Sequence, residues 1–253
     1  MAAAVVSPAW IPDPSPGRWL VAAGLNAVLI ALAGRAPLLT AAGWAHAGAL
    51  GTLLWGCLGW RGWLAVVSYL ALGSLVTRLG LRRKQELGLA EARSGRRAPA
   101  NVWGSAATGA ALALLIPLRP QLSAVLLMGF AASFSAKLAD TCGSEIGKRW
   151  GRTTVLITNL RPVPAGTEGA ISLEGTAASL AGGCVMAAVM LALGLIQTPR
   201  DGLVVSGVAL VATLIESGIG AGLQRRWHWL SNELVNALQT SIAALIAMVI
   251  GPS

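Results

Sequence analysis

Four polar segments carry most of the chemistry this sequence could perform. The first, SFSAKLADTCGSEIGKRWGRTT at 133–154, sets Lys137, Asp140, Glu145 and Lys148 within about three helical turns. On an ideal helix Asp140, Ser144, Gly147 and Lys148 share a face, while Glu145 lies about 140° from Asp140. Both acids could serve one site only from flanking positions, or if Gly143 breaks the helix. A carboxylate beside Thr141 and Ser144 suits Mg²⁺, which takes oxygen ligands and keeps room for substrate phosphates. The Gly147–Lys148 and Gly151–Arg152 pairs add close backbone approach and cations for phosphate oxygens. A helix end with solvated charges is the alternative.

The second segment, RPVPAGTEGAISLEGTAASLAGG at 161–183, is a Pro- and Gly-rich loop running into a helix that should begin near Ala170. Helix N-termini present free N–H groups to anions, and Gly166, Thr167, Ser172 and Thr176 add backbone and hydroxyl donors. Capping by Thr167 and a dipole-favoured Glu168 would explain that acid without function. The same reasoning explains Glu174 poorly, and a polar cavity is expected there. In the third segment, LIESGIGAGLQ, Glu216 precedes Gln224 by eight residues, about 12 Å of helix. An acid so deep in an apolar span is a functional candidate by default. Gly218, Gly220 and Gly222 follow no strand, so a close helix-packing face is expected rather than a nucleotide loop. In the fourth, RRWHWLSNELVNALQ, Asn232 and Asn236 share a helical face. His228 between two tryptophans reads as an interfacial aromatic-belt residue. The basic stretch RSGRRAPANVWGS offers Arg96, Arg97 and Asn101 to phosphate, or equally to anionic lipid headgroups.

The elements that hold these residues are membrane helices. Only 11% of the 253 residues are charged, 55% are hydrophobic and mean hydropathy is +0.67, against about 25% charged in soluble domains. Apolar blocks at roughly 19–34, 41–58, 62–80, 101–117, 121–139, 170–196, 202–223 and 234–250 match the length that crosses about 30 Å of hydrocarbon. Without period-2 alternation they are helices rather than barrel strands. The expected class is therefore an all-α polytopic bundle of about 7–8 spans. An N-terminal arm over 1–17 precedes N-terminal helices over 18–80. A catalytic core over 81–253 follows, with loops at 81–100, 140–169 and 224–233. Cys57, Cys142 and Cys184 have no framework spacing and read as packing residues.

Of the nineteen Lys and Arg, Arg18, Arg61, Arg119 and Arg200 fall on one side, Lys137 lies within a span, and fourteen fall on the other. That bias places the basic side in the cytoplasm and both termini outside. It also accounts for the +9 net charge, so nucleic acid is not an expected partner. The acids divide the same way, which topology does not require: only Asp13 and Asp201 lie outside, and the other eight gather on the cytoplasmic side. Acids, amides, hydroxyls and cations at one membrane face suit metal–nucleotide chemistry on an amphiphile with an anionic head. A proton-coupled transporter could use Lys137, Asp140 and Glu216, but its carboxylates belong near the midplane rather than at one interface.

The stretches GRRAPANVWGSAATG, SFSAKLADTCGSEIGK, VPAGTEGAISLEGTAAS, LIESGIGAGLQ and WLSNELVN resemble the phytyl phosphate kinase family of plants and cyanobacteria, within a wider group of multi-spanning membrane proteins. They run in the expected order over most of 93–240, whereas the first three spans match only in character. Much of the wider group has Asp where this chain has Glu216. The resemblance implies transfer of the γ-phosphate of CTP to an isoprenoid monophosphate, giving phytyl diphosphate for tocopherol and phylloquinone synthesis. It implies Mg²⁺ and nucleotide phosphates at Asp140 and Glu145, further metal or base roles for Glu174 and Glu216, and phosphate clamps at Lys137 and Lys148. Ser144, Arg152, Arg97, Asn101, Gly166, Thr167, Ser172, Thr176, Asn232 and Asn236 complete the expected phosphate-binding set. The active site would face the cytoplasmic side of a plasma or thylakoid membrane. A farnesyl or geranylgeranyl phosphate kinase, a cytidylyltransferase and a transporter are the alternatives, and chain-length selectivity and oligomeric state are not legible.

Overall fold

Seven long apolar helices make up the bulk of the chain. The computed structural model describes residues 10–11, 15–90, 95–224, 226–227 and 229–253. Most of the N-terminal arm, together with Glu91, Arg93, Arg225 and His228, lies outside the described residues. The long helices are α1 (Pro16–Ala33), α2 (Ala41–Arg78), α4 (Pro99–Leu118), α5 (Ser123–Trp150), α6 (Leu173–Ala192), α7 (Pro199–Ile219) and α8 (Asn232–Ile250); α3 (Leu81–Glu86) is a single short turn between α2 and α4. Their outer faces are lipid-like, with Leu20, Leu203 and Val249 exposed by 75, 74 and 86%. In water such a surface would not persist; in hydrocarbon it costs nothing.

The 38-residue α2 is two spans, not one. Gly59 sits at φ 63° and ψ −160°, a region open essentially to glycine alone. The chain reverses there. Thr40, at the start of the first arm, bonds through its N–H to the carbonyl of Arg97 at 3.0 Å, and Gly73, near the end of the second arm, lies against the same arginine's guanidinium. The arms are therefore antiparallel and the described chain makes eight crossings. The expected linker at 59–61 contracts to one residue.

Contacts at the helix ends agree with that count. At one end Arg18 Nη1 donates to Gly56 O at 3.2 Å, Arg61 Nη1 to Leu193 O at 3.0 Å, and Ser253 N to Asp201 Oδ1 at 2.9 Å. At the other end Lys84 meets Glu145, and Asn101 Nδ2 donates to Glu233 Oε1 at 3.0 Å. The sparse and the abundant cations thus occupy opposite ends, as the loop charges require.

Helix α5 is the hub, packed by α2, α4, α6, α7 and α8. Its 28 residues extend about 42 Å, so the last turns project beyond the hydrocarbon. The apolar block ends at 139, but the helix runs on to Trp150 because α6 supports it through small residues. A Cβ at Gly143 would collide with Ser179 Oγ and reach Gly175 O at 3.1 Å, so the glycine serves close helix approach and does not break the helix. After α5, β1 (Val155–Leu156) pairs antiparallel with β2 (Ala170–Ile171), closing the loop that precedes α6. Helix α6 consequently starts at Leu173 rather than near Ala170, and its cap is Ser172, whose hydroxyl accepts from Gly175 N at 3.1 Å.

Candidate functional site

A cleft of about 230 Å³ opens where the ends of α5, α6, α7 and α8 meet the β1–β2 loop. Helix α5 supplies one face: Lys137, Asp140, Ser144, Gly147 and Lys148 all line it, at the i, i+3, i+7, i+10 and i+11 positions of one helical stripe. Lys137 is buried and donates to both Asp140 and, at 2.9 Å, Asn236 Oδ1. Asn236 and Asn232 stand one turn apart on α8 and both reach the cleft. Asn232 is bonded to Gln224, the last residue of a π-helical turn (Gly220–Gln224) that extends α7. Such turns recur at functional sites.

Helix α7 brings Glu216, with Thr213 and Ser217, to the opposite wall. Glu216 lines the same cleft as Asp140, Lys137 and Glu168. Behind it, the fully buried Gln239 donates to Thr213 Oγ1 and Ala136 O, both at 3.1 Å, tying α7, α5 and α8 into fixed register. The loop contributes Gly166, Thr167 and Glu168, and the start of α6 contributes Ser172 and Thr176. Gly169 (φ 75°) is the point where loop and π-turn touch: any side chain there would collide with Ser217 O and the Ala221 backbone. Of the glycines in 218–222, only Gly220 packs closely, against Gly169; Gly218 and Gly222 face open space. The expected glycine face is therefore one contact.

The cleft gathers eleven of the sixteen residues singled out from sequence. The remaining five lie elsewhere. Glu145, on the far side of α5, is 1% exposed and paired with Lys84, with Lys148 Nζ 3.8 Å from its other oxygen. Among the described residues, Lys148 links it to the cleft. Glu174 occupies the first turn of α6 beside Arg152, whose Nε is 4.0 Å away and whose side chain is 92% exposed. The dipole explanation offered for Glu168 thus belongs to Glu174, and Glu168 enters the polar cleft expected for Glu174. The two exchange roles because the helix begins at Leu173. Asn101 caps α4 by accepting from Ala98 N at 2.9 Å and joins Glu233. Arg97 stands over the Tyr69 ring in a separate cavity.

Ser179, Thr213 and Ser217 were not among the expected site residues; Glu168 was expected only as one of the acids gathered at this face, with capping and the helix dipole to explain it. The three hydroxyls sit in ordinary apolar spans. The donor set is all oxygen, three carboxylates with hydroxyls and amides, and lacks His and Cys. That set fits a hard cation such as Mg²⁺. Among the described residues no three acids, histidines or cysteines are close enough to enclose an ion alone. An ion held by Asp140 and Glu216 would complete its shell with water and substrate phosphate, as Mg²⁺ commonly does.

Comparison with known proteins fits this membrane architecture. Residues 24–244 match the model of a family described as integral membrane protein DUF92. An uncharacterized membrane protein of Synechocystis sp. is 50% identical over 234 residues, covering 91% of this chain and 90% of that protein. Protein VTE6, chloroplastic, of Arabidopsis thaliana is 41% identical over 215 residues, covering 83% of this chain and 64% of that longer protein. An uncharacterized membrane protein of Methanocaldococcus jannaschii is 29% identical over 205 residues, covering 78% of this chain and 79% of that protein. No solved structure matches the chain.

Proposed function

The chain belongs to the DUF92 family of integral membrane proteins, and we propose that it transfers the terminal phosphate of CTP to phytyl monophosphate or a closely related isoprenoid monophosphate. One observation carries this reading: two lysines and three carboxylates, Lys137, Lys148, Asp140, Glu168 and Glu216, line a single cleft at one end of the bundle. Cations and acids together suit a phosphate-rich, metal-bearing substrate, whereas either sign alone would not. The resemblance to phytyl phosphate kinases, and the similarity to a chloroplastic plant protein, support the acceptor class.

The bond between the γ-phosphorus of CTP and its β–γ bridging oxygen breaks, and CDP leaves with the electron pair. A phosphate oxygen of the acceptor forms the new P–O bond. Because the acceptor is already an anion, no strong base is required; the task is charge compensation and alignment. Lys137 and Lys148 offset charge on the transferring group and its neighbours. Asp140 and Glu216, with Glu168 in the same cleft, would hold Mg²⁺, which would neutralise part of the phosphate charge. Ser144, Ser172, Thr176, Asn232 and Asn236 supply uncharged hydrogen bonds that orient the nucleotide. Asn236 also fixes the Lys137 ammonium. Glu145 acts at one remove by positioning Lys148.

The test uses purified protein with labelled CTP, Mg²⁺ and a panel of isoprenoid monophosphates. The expected products are the isoprenoid diphosphate and CDP, with Asp140→Asn reducing turnover at least 100-fold (on the order of what one preorganised electrostatic group supplies) while the protein stays folded. Pyrophosphate release would identify a cytidylyltransferase instead, and nucleotide-independent flux in sealed vesicles a transporter.

A further inference from the structure

A second cavity, of about 280 Å³, lies between α1, both arms of α2 and α4, away from the α5–α8 cleft. Its walls are Ile30, Trp44, Val66, Leu70, Val102 and Ala106. Along the second arm it runs from Trp63 to Ala71, about 12 Å of helix. The polar groups toward Trp63 satisfy one another: Trp63 Nε1 donates to Asn26 Oδ1 at 3.1 Å, and Asn26 Nδ2 to Ala22 O at 2.8 Å. That end offers an occupant nothing but hydrocarbon contact.

The other end is different. Arg97 lines the cavity there, and among the described residues no carboxylate pairs with it. Its backbone is pinned to the connection before α2, with Arg97 N donating to Leu38 O at 3.0 Å and Thr40 N to Arg97 O at 3.0 Å. Its Nη1 donates to Tyr69 OH at 2.6 Å and the guanidinium lies 4.9 Å from the Tyr69 ring centre. A fixed cation without an acid, at the end of an apolar slot, is complementary to a hydrocarbon chain that ends in an anion. Tyr69 also stands between this cavity and α5. Its ring packs on Phe134 at 5.7 Å, one turn before Lys137 on α5.

We propose that this cavity receives the hydrocarbon chain of the isoprenoid monophosphate, with Arg97 holding its phosphate beside Tyr69, on the side that packs against α5. This inference rests on the proposed reaction for the identity of the chain. It adds where the acceptor lies and which residues choose its length. The α1–α2 half of the bundle then selects the lipid, and the α5–α8 half handles the nucleotide.

The experiment uses the full chain in nanodiscs with a geranylgeranyl monophosphate analogue carrying a terminal diazirine. Photolabel is expected on residues 26–33, 44–51 or 63–71. Unlabelled geranylgeranyl monophosphate should compete, and the free alcohol and phosphatidylglycerol should not. Arg97→Gln should raise the competing concentration at least tenfold, with Arg97→Lys recovering part of it. Ala47→Phe, which narrows the slot, should abolish labelling by the long analogue and spare a geranyl one. Label confined to other helices, equal competition by phosphatidylglycerol, or loss of both chain lengths in Ala47→Phe would each overturn the assignment. Labelling needs neither nucleotide nor turnover. A correctly labelled protein that forms no diphosphate would therefore sink the reaction and leave the cavity standing, whereas an active enzyme labelled elsewhere would do the reverse.

Discussion

Lys84 and Glu145, sixty-one residues apart, form an ion pair in which both side chains are 1% exposed. Lys84 also donates to Thr77 O at 2.7 Å, which locks the short helix α3 and the end of α2 onto the outer side of α5. Removing Glu145 strands Lys84 as a buried charge, whereas removing both takes the buried pair away together. Glu145→Ala is expected to cost about 3–5 kcal/mol in detergent unfolding, and Lys84→Met with Glu145→Leu to recover most of it. A double-mutant cycle giving a coupling below about 1 kcal/mol would show the pair to be a solvated surface contact.

Glu168 and Glu174 are close in sequence and differ in place. Glu168→Gln should lower kcat by at least tenfold and raise the Mg²⁺ concentration needed for half-maximal rate. Glu174→Gln should leave both within about twofold, because it loses only an exposed contact with Arg152 and a helix-dipole interaction, together worth roughly 1 kcal/mol. Steady-state rates across a Mg²⁺ titration decide it. Equal losses in the two variants would return Glu174 to the site.

Gly59 is the corner of the α2 hairpin, at φ 63° and ψ −160°. Gly59→Ala should destabilise the protein by about 1–3 kcal/mol, the usual strain of a side chain in that region. Thermal unfolding in detergent measures it. An unchanged midpoint would mean that the two arms can reverse without this conformation.

Eight crossings put both ends of the described chain on one side, and α3 and the β1–β2 loop on the other. In a background lacking Cys57, Cys142 and Cys184, cysteines at Trp60 and Ser253 should react with an impermeant maleimide added to intact cells. Cysteines at Arg82 and Arg152 should react only after permeabilisation. Reaction of Trp60 and Ser253 from opposite sides would require α2 to cross once.

Helical class, span positions and the separation of charges between two faces were all legible in the linear chain. Each depends on composition within a window of about twenty residues, and hydrocarbon tolerates only that composition. The stripe Asp140, Ser144, Gly147 and Lys148 was legible for the same reason, since helical periodicity is local. What faces the stripe was not. Glu145 differs from Asp140 by 140° of rotation, and nothing local says whether that side meets a cleft or, as it does, a lysine from α3. Glu168 and Glu174 exchanged roles over a three-residue shift in where α6 begins. That shift is set by pairing of Ala170–Ile171 with Val155–Leu156, a contact made across the loop. Arg97 is one of several arginines in sequence; in space it is the one, among the described residues, that lines the apolar cavity. The sequence by itself therefore determined which residues could lie at the membrane face and in which helices. Only the tertiary structure decided which of them share a volume, because burial and pairing depend on the neighbours that packing brings and not on the residues adjacent in the chain.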